Sequence, residues 1–341
     1  KLARKSIVIW CKISENRSMT NDTLTAITGI QVGHAVLETA PSGCTVLLVP
    51  QGATAGVEVR GGAPGTYGTD TLNPLNLVDR VHGIFFTGGS AFGLSVAEGM
   101  RSYLKKRKVG FDSGHGLIPI VAGAVIFDLG LNNTDRYPDA ALGYAACQQA
   151  SSEAVPEGCV GAGAGATVGK LYGLEQAMKS GLGSACIRAP SGVEVAALMV
   201  VNAFGDIVDP ALNRPIAGCR KSPQSDELIA ADSELHHLKL LRGFPEESQN
   251  TVVGAVATNV KFSKTQLTKV AQMAHDGLAR TVYPAHTQYD GDTIFSLSCG
   301  GMEGVEVSVV GSLAAQATAR AILKAVRDAR SFGSLPACVD I

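Results

Sequence analysis

The chain has 341 residues, 45% hydrophobic and 17% charged, enough for one large core or two modest ones. Its net charge of −1 gives no footprint for nucleic acid or anionic membrane. The longest apolar stretch, 117–127, is broken by Pro119 and Gly123 and is too short to cross a bilayer, so it is expected to be buried strand.

From the start, Lys1, Arg4 and Lys5 precede only a short apolar run before Cys11, which is brief for a signal peptide. Met19 followed by Thr-Asn-Asp has the look of a natural start, so residues 1–18 are expected to be an extension. Strand-like runs follow at 45–49, 83–87, 118–127, 195–201, 251–260 and 293–297, β-branched or aromatic and bounded by Gly, Pro or Asp. Helical runs lie between them at 90–106, 140–152, 263–282 and 308–330. The third opens with a capping box, Ser263 and Gln266, and shows an apolar face of Leu267, Val270, Ala274 and Leu278. The 40 glycines are not periodic, which points to tight turns in a layered α/β protein. The 8 cysteines are scattered without a Cys-x-x-Cys pair, so reduced thiols, no metal and a cytoplasmic location are expected.

One composition break stands out. Residues 221–249 read as a polar helix and loop between two Gly/Val-rich halves, and Asn250 then runs directly into a strand that begins with Thr251. An ordinary strand start explains this. So does an N-terminal nucleophile, in which cleavage frees an α-amine that titrates near roughly 7.7–8.0 and serves as base for its own hydroxyl.

The surrounding motifs favour the second explanation. They are Gly29-Ile-Gln-Val-Gly-His34, Gly56-Val-Glu-Val-Arg-Gly-Gly-Ala-Pro-Gly65, Thr87-Gly-Gly-Ser-Ala-Phe-Gly-Leu94 and Gly123-Ala-Val-Ile-Phe-Asp128. Gly161-Ala-Gly-Ala-Gly-Ala-Thr-Val-Gly-Lys170, Asn250-Thr251 and His286-Thr-Gln-Tyr-Asp-Gly-Asp-Thr293 complete the series. In this order the chain resembles the self-processing DmpA-type L-aminopeptidase/D-amidase-esterases, with the β-aminopeptidases and the endo-type 6-aminohexanoate-oligomer (nylon) hydrolases. The Asn-Thr junction and the Asp-Gly-Asp triplet look most like the nylon-oligomer branch.

That resemblance implies an α+β fold, a four-layer αββα sandwich, with no cofactor. It implies a cut between Asn250 and Thr251 into an α-chain, 19–250 after the extension, and a β-chain, 251–341, which together form one domain. Residues 221–250 would be the processing linker, and the α/β pairs would assemble as a tetramer. It also places Thr251, Lys170, Asn202, Asp290 and Asp292 on active-site positions, and Phe127 where the nylon branch carries a tyrosine.

Each position has its own chemistry. Thr251 would attack the Asn250 carbonyl first and substrate afterwards. Asp290 and Asp292, two residues apart, would face one site if extended, and their repulsion would raise one pKa; a surface Asp-Gly turn is the alternative. A buried Lys170 would hold carboxylates ionised and the α-amine free, whereas an ordinary lysine would sit in solvent. Gly165-Ala-Thr-Val-Gly169-Lys170 is a near miss of a phosphate loop, with Ala164 and Leu171 at its Gly and Ser/Thr positions. Asn202 at a strand end would donate to an oxyanion or cap a turn. Gly88, Gly89 and Ser90 precede a helix, so their N–H groups are candidates for holding a substrate carbonyl or carboxylate. His34, His275 and His286 lack metal-ligand spacing and are expected to be structural; His236 and His237 are expected in solvent.

The function expected is hydrolysis of amide bonds in peptides, amino-acid amides or 6-aminohexanoate oligomers, without nucleic-acid or membrane partners. The rivals are an acyltransferase of the ornithine acetyltransferase type using the same threonine, and a non-catalytic oligomeric binding protein.

Overall fold

Runs of small and β-branched residues, bounded by glycine, build a sheet that is buried on both faces. The computed structural model describes residues 21–131, 134–238 and 250–340. The expected extension 1–18 and residues 239–249 of the polar segment lie outside the described residues.

Eight strands and four helices carry the argument. They are β1 (Gln31–Val36), β2 (Gly43–Val59), β3 (Arg80–Thr87), α1 (Val96–Lys106), β4 (Val121–Val125) and α2 (Ala140–Gln148), then β5 (Leu182–Arg188), β6 (Glu194–Asn202), β7 (Thr251–Val260), α3 (Lys264–Ala279), β8 (Thr293–Met302) and α4 (Val307–Arg327). The sheet order is β5-β6-β7-β8-β2-β3-β4, closed at one edge by Thr66–Tyr67, with β1 also pairing β2. The pairs β7–β8 and β3–β4 are parallel, and the other pairings are antiparallel.

The 17-residue β2 joins the two halves. Its Cys44–Leu48 portion lies between β1 and β3 and, beyond a register shift between Leu48 and Ala53, its Thr54–Val59 portion pairs with β8. The halves face each other across one core, with Phe86 of β3 and Phe295 of β8 at 6.1 Å between ring centroids. Helices α3 and α4 cover the outer face of the β6–β7 half, and α1 and α2 cover that of the β2–β3 half. The layers therefore run helix, sheet, sheet, helix, which is the αββα sandwich.

Alternation in β7 shows why the strand is central. Val253, Ala255 and Ala257 enter the core between the sheets, while Val252, Val256 and Val260 pack under α3 and α4. The capping box is present as read, with Ser263 and Gln266 bonding reciprocally, and Leu267, Val270, Ala274 and Leu278 are buried. By length and composition α4 could cross a membrane, yet Val310, Ala314, Ala317 and Ala321 pack into the core.

Three local expectations need correction. The run 117–127 is not one buried strand: Pro119 breaks it, and Leu117–Ile118 pairs with Phe111–Asp112 as an exposed hairpin. The segment 90–106 begins with a 3-10 turn, Ser90–Ser95, before α1. Helix α2 ends at Gln148 rather than 152.

Candidate active site

Thr251 opens β7 directly opposite Asn202, the last residue of β6. Both side chains are buried, and the Thr251 hydroxyl donates to the carbonyl oxygen of Asn250. The oxygen of the expected nucleophile therefore lies against the bond expected to break.

The loop before β8 brings both carboxylates to this strand end. Asp290 and Asp292 are 2% and 1% exposed, which excludes the surface-turn alternative. They do not simply point the same way. Asp292 Oδ1 accepts from Val252 N–H at 2.8 Å, and its Oδ2 accepts from the backbone N–H of His286 at 3.1 Å and from His286 Nδ1 at 2.8 Å. Asp290 accepts from Phe204 N–H at 3.2 Å through Oδ1, and from Thr287 N–H and Oγ1 at 3.3 and 2.5 Å through Oδ2. Burial first, and repulsion from Asp292 second, push Asp290 up to about 7.

The glycine-rich loop after β2 clasps this carboxylate loop. Arg60 and Ala63 N–H donate to the backbone oxygens of Asp292 and Asp290 at 2.9 and 2.8 Å. A Cβ on Gly61 would stand 2.3 Å from both Asp290 O and Asp292 N, so only glycine fits. At the tip, a Cβ on Gly291 would come within 3.1 Å of Thr251 Oγ1.

Lys170 is 4% exposed rather than solvated. Its ammonium nitrogen lies 2.9 and 2.8 Å from Asn202 O and Oδ1. Burial holds its pKa well below the usual lysine value, with Asp290 and Asp128 pulling the other way. Asn202 Oδ1 also accepts from Thr167 N–H at 3.0 Å, and its Nδ2 donates to Phe127 O at 3.0 Å, which fixes the amide orientation. The near-miss phosphate loop is thus a scaffold: it delivers Thr167 and Lys170 to Asn202.

A cavity of about 270 Å³ opens on Thr251. Pro64, Ser90, Ala91, Phe127 and Tyr289 line it, and no carboxylate or ammonium does so among the described residues. Phe127 therefore presents a ring without a hydroxyl there. The Gly88–Ser90 turn contributes differently from expectation. Its three N–H groups already donate to Gly43 O, Asp128 Oδ1 and Ile126 O at 2.9, 2.7 and 3.1 Å, so it reaches the cavity through Ser90 itself.

Sequence reasoning missed Asp128, Thr287, Tyr289 and the role of His286. Asp128 is buried, is raised in pKa chiefly by that burial, and anchors the Ser90 turn. A Cβ on either Gly88 or Gly165 would sit 2.2 Å from its Oδ2. No local signal could have found Asp128, because Gly88 and Gly165 lie 40 and 37 positions away in the sequence. His34 is half-buried against Thr45 and His275 is buried against Glu58 O, with burial lowering each to about 4; His236 and His237 are exposed.

Comparison with known proteins shows the family and the fold. Residues 22–335 match the family model described as Peptidase family S58. An uncharacterized aminopeptidase of Mycobacterium leprae is 39% identical, over 92% of this chain and 92% of its own. A 6-aminohexanoate-oligomer endohydrolase of Kocuria sp. is 31% identical, over 88% of this chain and 84% of its own. Among solved structures, the L-aminopeptidase D-Ala-esterase/amidase of Ochrobactrum anthropi, described as a variant of the Ntn hydrolase fold, superposes with a TM-score of 0.69 at 18% identity. That match covers 93% of this chain and 88% of the other. A Burkholderia sp. β-aminopeptidase gives 0.65 at 22% identity, covering 93% and 89%. The chain belongs to peptidase family S58 and is a hydrolase of peptide or amide bonds.

Proposed function

We propose that the chain cuts itself between Asn250 and Thr251, and that the freed Thr251 hydrolyses amide bonds as an N-terminal nucleophile. The observation that carries this reading is the Thr251 hydroxyl bonded to the carbonyl oxygen of the residue before it, at the start of a buried central strand. Attack of Oγ1 on the Asn250 carbonyl carbon forms an ester, breaks the peptide bond and releases the Thr251 amine. Water then hydrolyses the ester, leaving a carboxylate on Asn250 and regenerating the hydroxyl.

In the mature site the α-amine takes the hydroxyl proton as Oγ1 attacks a substrate carbonyl, then gives a proton to the departing amine. Asp292 holds Val252 and so fixes the strand end. Asp290, pushed up to about 7 by burial and by Asp292, binds Phe204 and Thr287 beside the same strand end. Lys170 and Asn202 fix the opposite strand end. The cavity's uncharged lining suits the acyl parts of peptides, amino-acid amides and 6-aminohexanoate oligomers, the substrate classes we assign.

Self-association as a tetramer of cut pairs belongs to the same proposal. It is supported by the exposed Leu75 and Leu77, together with the apolar hairpin of Phe111, Leu117 and Ile118. Analytical ultracentrifugation tests it.

The main test incubates purified protein with amino-acid p-nitroanilides and with 6-aminohexanoate oligomers, following products by mass. Turnover accompanied by a small fragment beginning Thr-Val-Val-Gly supports the reading. An intact chain that still turns over substrate overturns it.

A further inference from the structure

We propose that His286 is a positioning residue, whose Nδ1–H locks the Asp292 carboxylate so that its other oxygen grips the strand carrying Thr251. This rests on the Thr251 reading and adds to it a residue that neither touches the nucleophile nor lines the cavity.

The geometry makes His286 a double donor to one atom. Its backbone N–H and its ring Nδ1 both reach Asp292 Oδ2, at 3.1 and 2.8 Å, while Oδ1 receives Val252 N–H at 2.8 Å. A carboxylate held by one donor can rotate about its Cβ–Cγ bond. One with both oxygens engaged, one of them twice, cannot rotate without losing a buried hydrogen bond. The chain Nδ1–Oδ2–Oδ1–Val252 N therefore transmits the place of the imidazole to the residue after the nucleophile.

Two further features fix the imidazole. His286 has φ of 57°, a left-handed conformation uncommon outside glycine, which aims the backbone N–H and the ring at the same oxygen. The ring of His275 meets it edge-on, with centroids 4.8 Å apart, and His275 is itself pinned because its Nε2 donates to Glu58 O at 3.1 Å. Since an oxygen acceptor on each side requires a proton on the facing nitrogen, His275 carries Nε2–H and His286 carries Nδ1–H. Among the described residues His286 Nε2 has no partner, so the ring acts on the site through Nδ1 alone.

The assignment makes a demand that simple space-filling does not. A side chain with a donor at the δ position should work, and one with its donor a bond further out should fail. Asparagine meets the first condition and also tolerates positive φ, whereas glutamine meets neither.

The experiment compares His286→Asn, His286→Gln and His286→Ala with wild type, measuring self-cleavage rate by mass spectrometry, kcat and KM on cleaved protein, and melting temperature. Misplacing a reacting group's support by about 1 Å costs on the order of a hundredfold. We expect Gln and Ala to lose roughly ten- to a hundredfold in kcat and in cleavage rate with KM little changed, and Asn to stay within a few-fold of wild type. If Ala fails to fold, the Asn–Gln pair decides alone. Equal rates in Asn and Gln, or a loss expressed only in KM, overturn the assignment. A wild type that neither cuts itself nor turns over would instead refute the Thr251 reading, so the two failures are distinguishable.

Discussion

Asn202 and Thr251 face each other as the paired ends of two adjacent antiparallel strands, so the proposed nucleophile and the residue that binds Lys170 are set by a single register. A one-residue slip of either strand would turn that strand's side chain to the opposite face and break the pair, which is why a strand buried on both sides is a reliable mount for this chemistry.

Replacing Thr251 separates chemistry from fold. Thr251→Ala leaves no oxygen to attack, and should yield one intact folded chain without turnover. Thr251→Ser should keep both activities at reduced rate. Denaturing gels check this: wild type should give fragments of roughly 26 and 9 kDa, in proportion to 1–250 and 251–341.

Asp290→Asn and Asp292→Asn should each lower cleavage and turnover by about a hundredfold. Both carboxylates accept hydrogen bonds at every oxygen, so a carboxamide nitrogen meets a donor in either case. Stability should also drop, by about 1–3 kcal/mol per substitution. Denaturant titration beside single-turnover kinetics measures the two effects.

The raised pKa of Asp290 has a definite sign. Its folded value is about 7 against an ordinary 3.8, so between those limits the native state binds more protons than the unfolded chain. Its contribution to stability is complete below 3.8 and is lost as pH rises through about 7. Asp206, also pushed to about 7 by burial, adds the same slope, while His34 and His275, lowered to about 4, add the opposite one below 6.5. A difference measurement isolates Asp290: the melting temperature of Asp290→Asn relative to wild type should climb from about pH 4 to pH 7. A flat difference would show that Asp290 ionises normally.

Lys170→Met should reduce turnover of cleaved protein at least about tenfold, because Asn202 O and Oδ1 lose a buried donor worth about 1–3 kcal/mol. Lys170→Arg should not restore it, since a guanidinium is too large for a site that is 4% exposed. Steady-state kinetics on the two variants decides.

Gly61→Ala tests the clasp. A methyl group 2.3 Å from Asp290 O and Asp292 N must push the carboxylate loop away from Thr251. Self-cleavage and kcat should fall, and KM should rise, because Pro64 and Tyr289 of the two displaced loops line the cavity. Pulse-chase of the precursor band gives the first rate directly.

Much of the fold was legible because its signals are local. The strand 251–260 and the Ser263–Gln266 cap lie within a few residues of their own causes. The exposed hairpin at 117–118 runs against expectation because the apolar pair Leu117-Ile118 before Pro119 carries the same local signal as a buried one. At the site, residue types at Thr251, Lys170, Asn202, Asp290 and Asp292 were legible through motif resemblance, but their partners were not. Val252 to Asp292 spans 40 positions and Gly89 to Asp128 spans 39, so no window of local pattern contains both ends. The donors of the Gly88–Ser90 turn looked free for the same reason: what occupies them arrives from strands far along the chain.

Strand β7 lies between β6 and β8, bonded along nearly its whole length to both. If the bond before it is cut, the small piece does not become a subunit resting on a surface; it stays the middle plank of a floor. Leaving would break the ladders on both sides at once. Unfolding would then change molecularity, from one chain to two, and recovery of the native state would depend on concentration where the precursor's did not. Maturation of this kind exchanges a one-chain refolding for a two-piece reassembly, and at low concentration the lifetime of the mature protein becomes a matter of its unfolding rate.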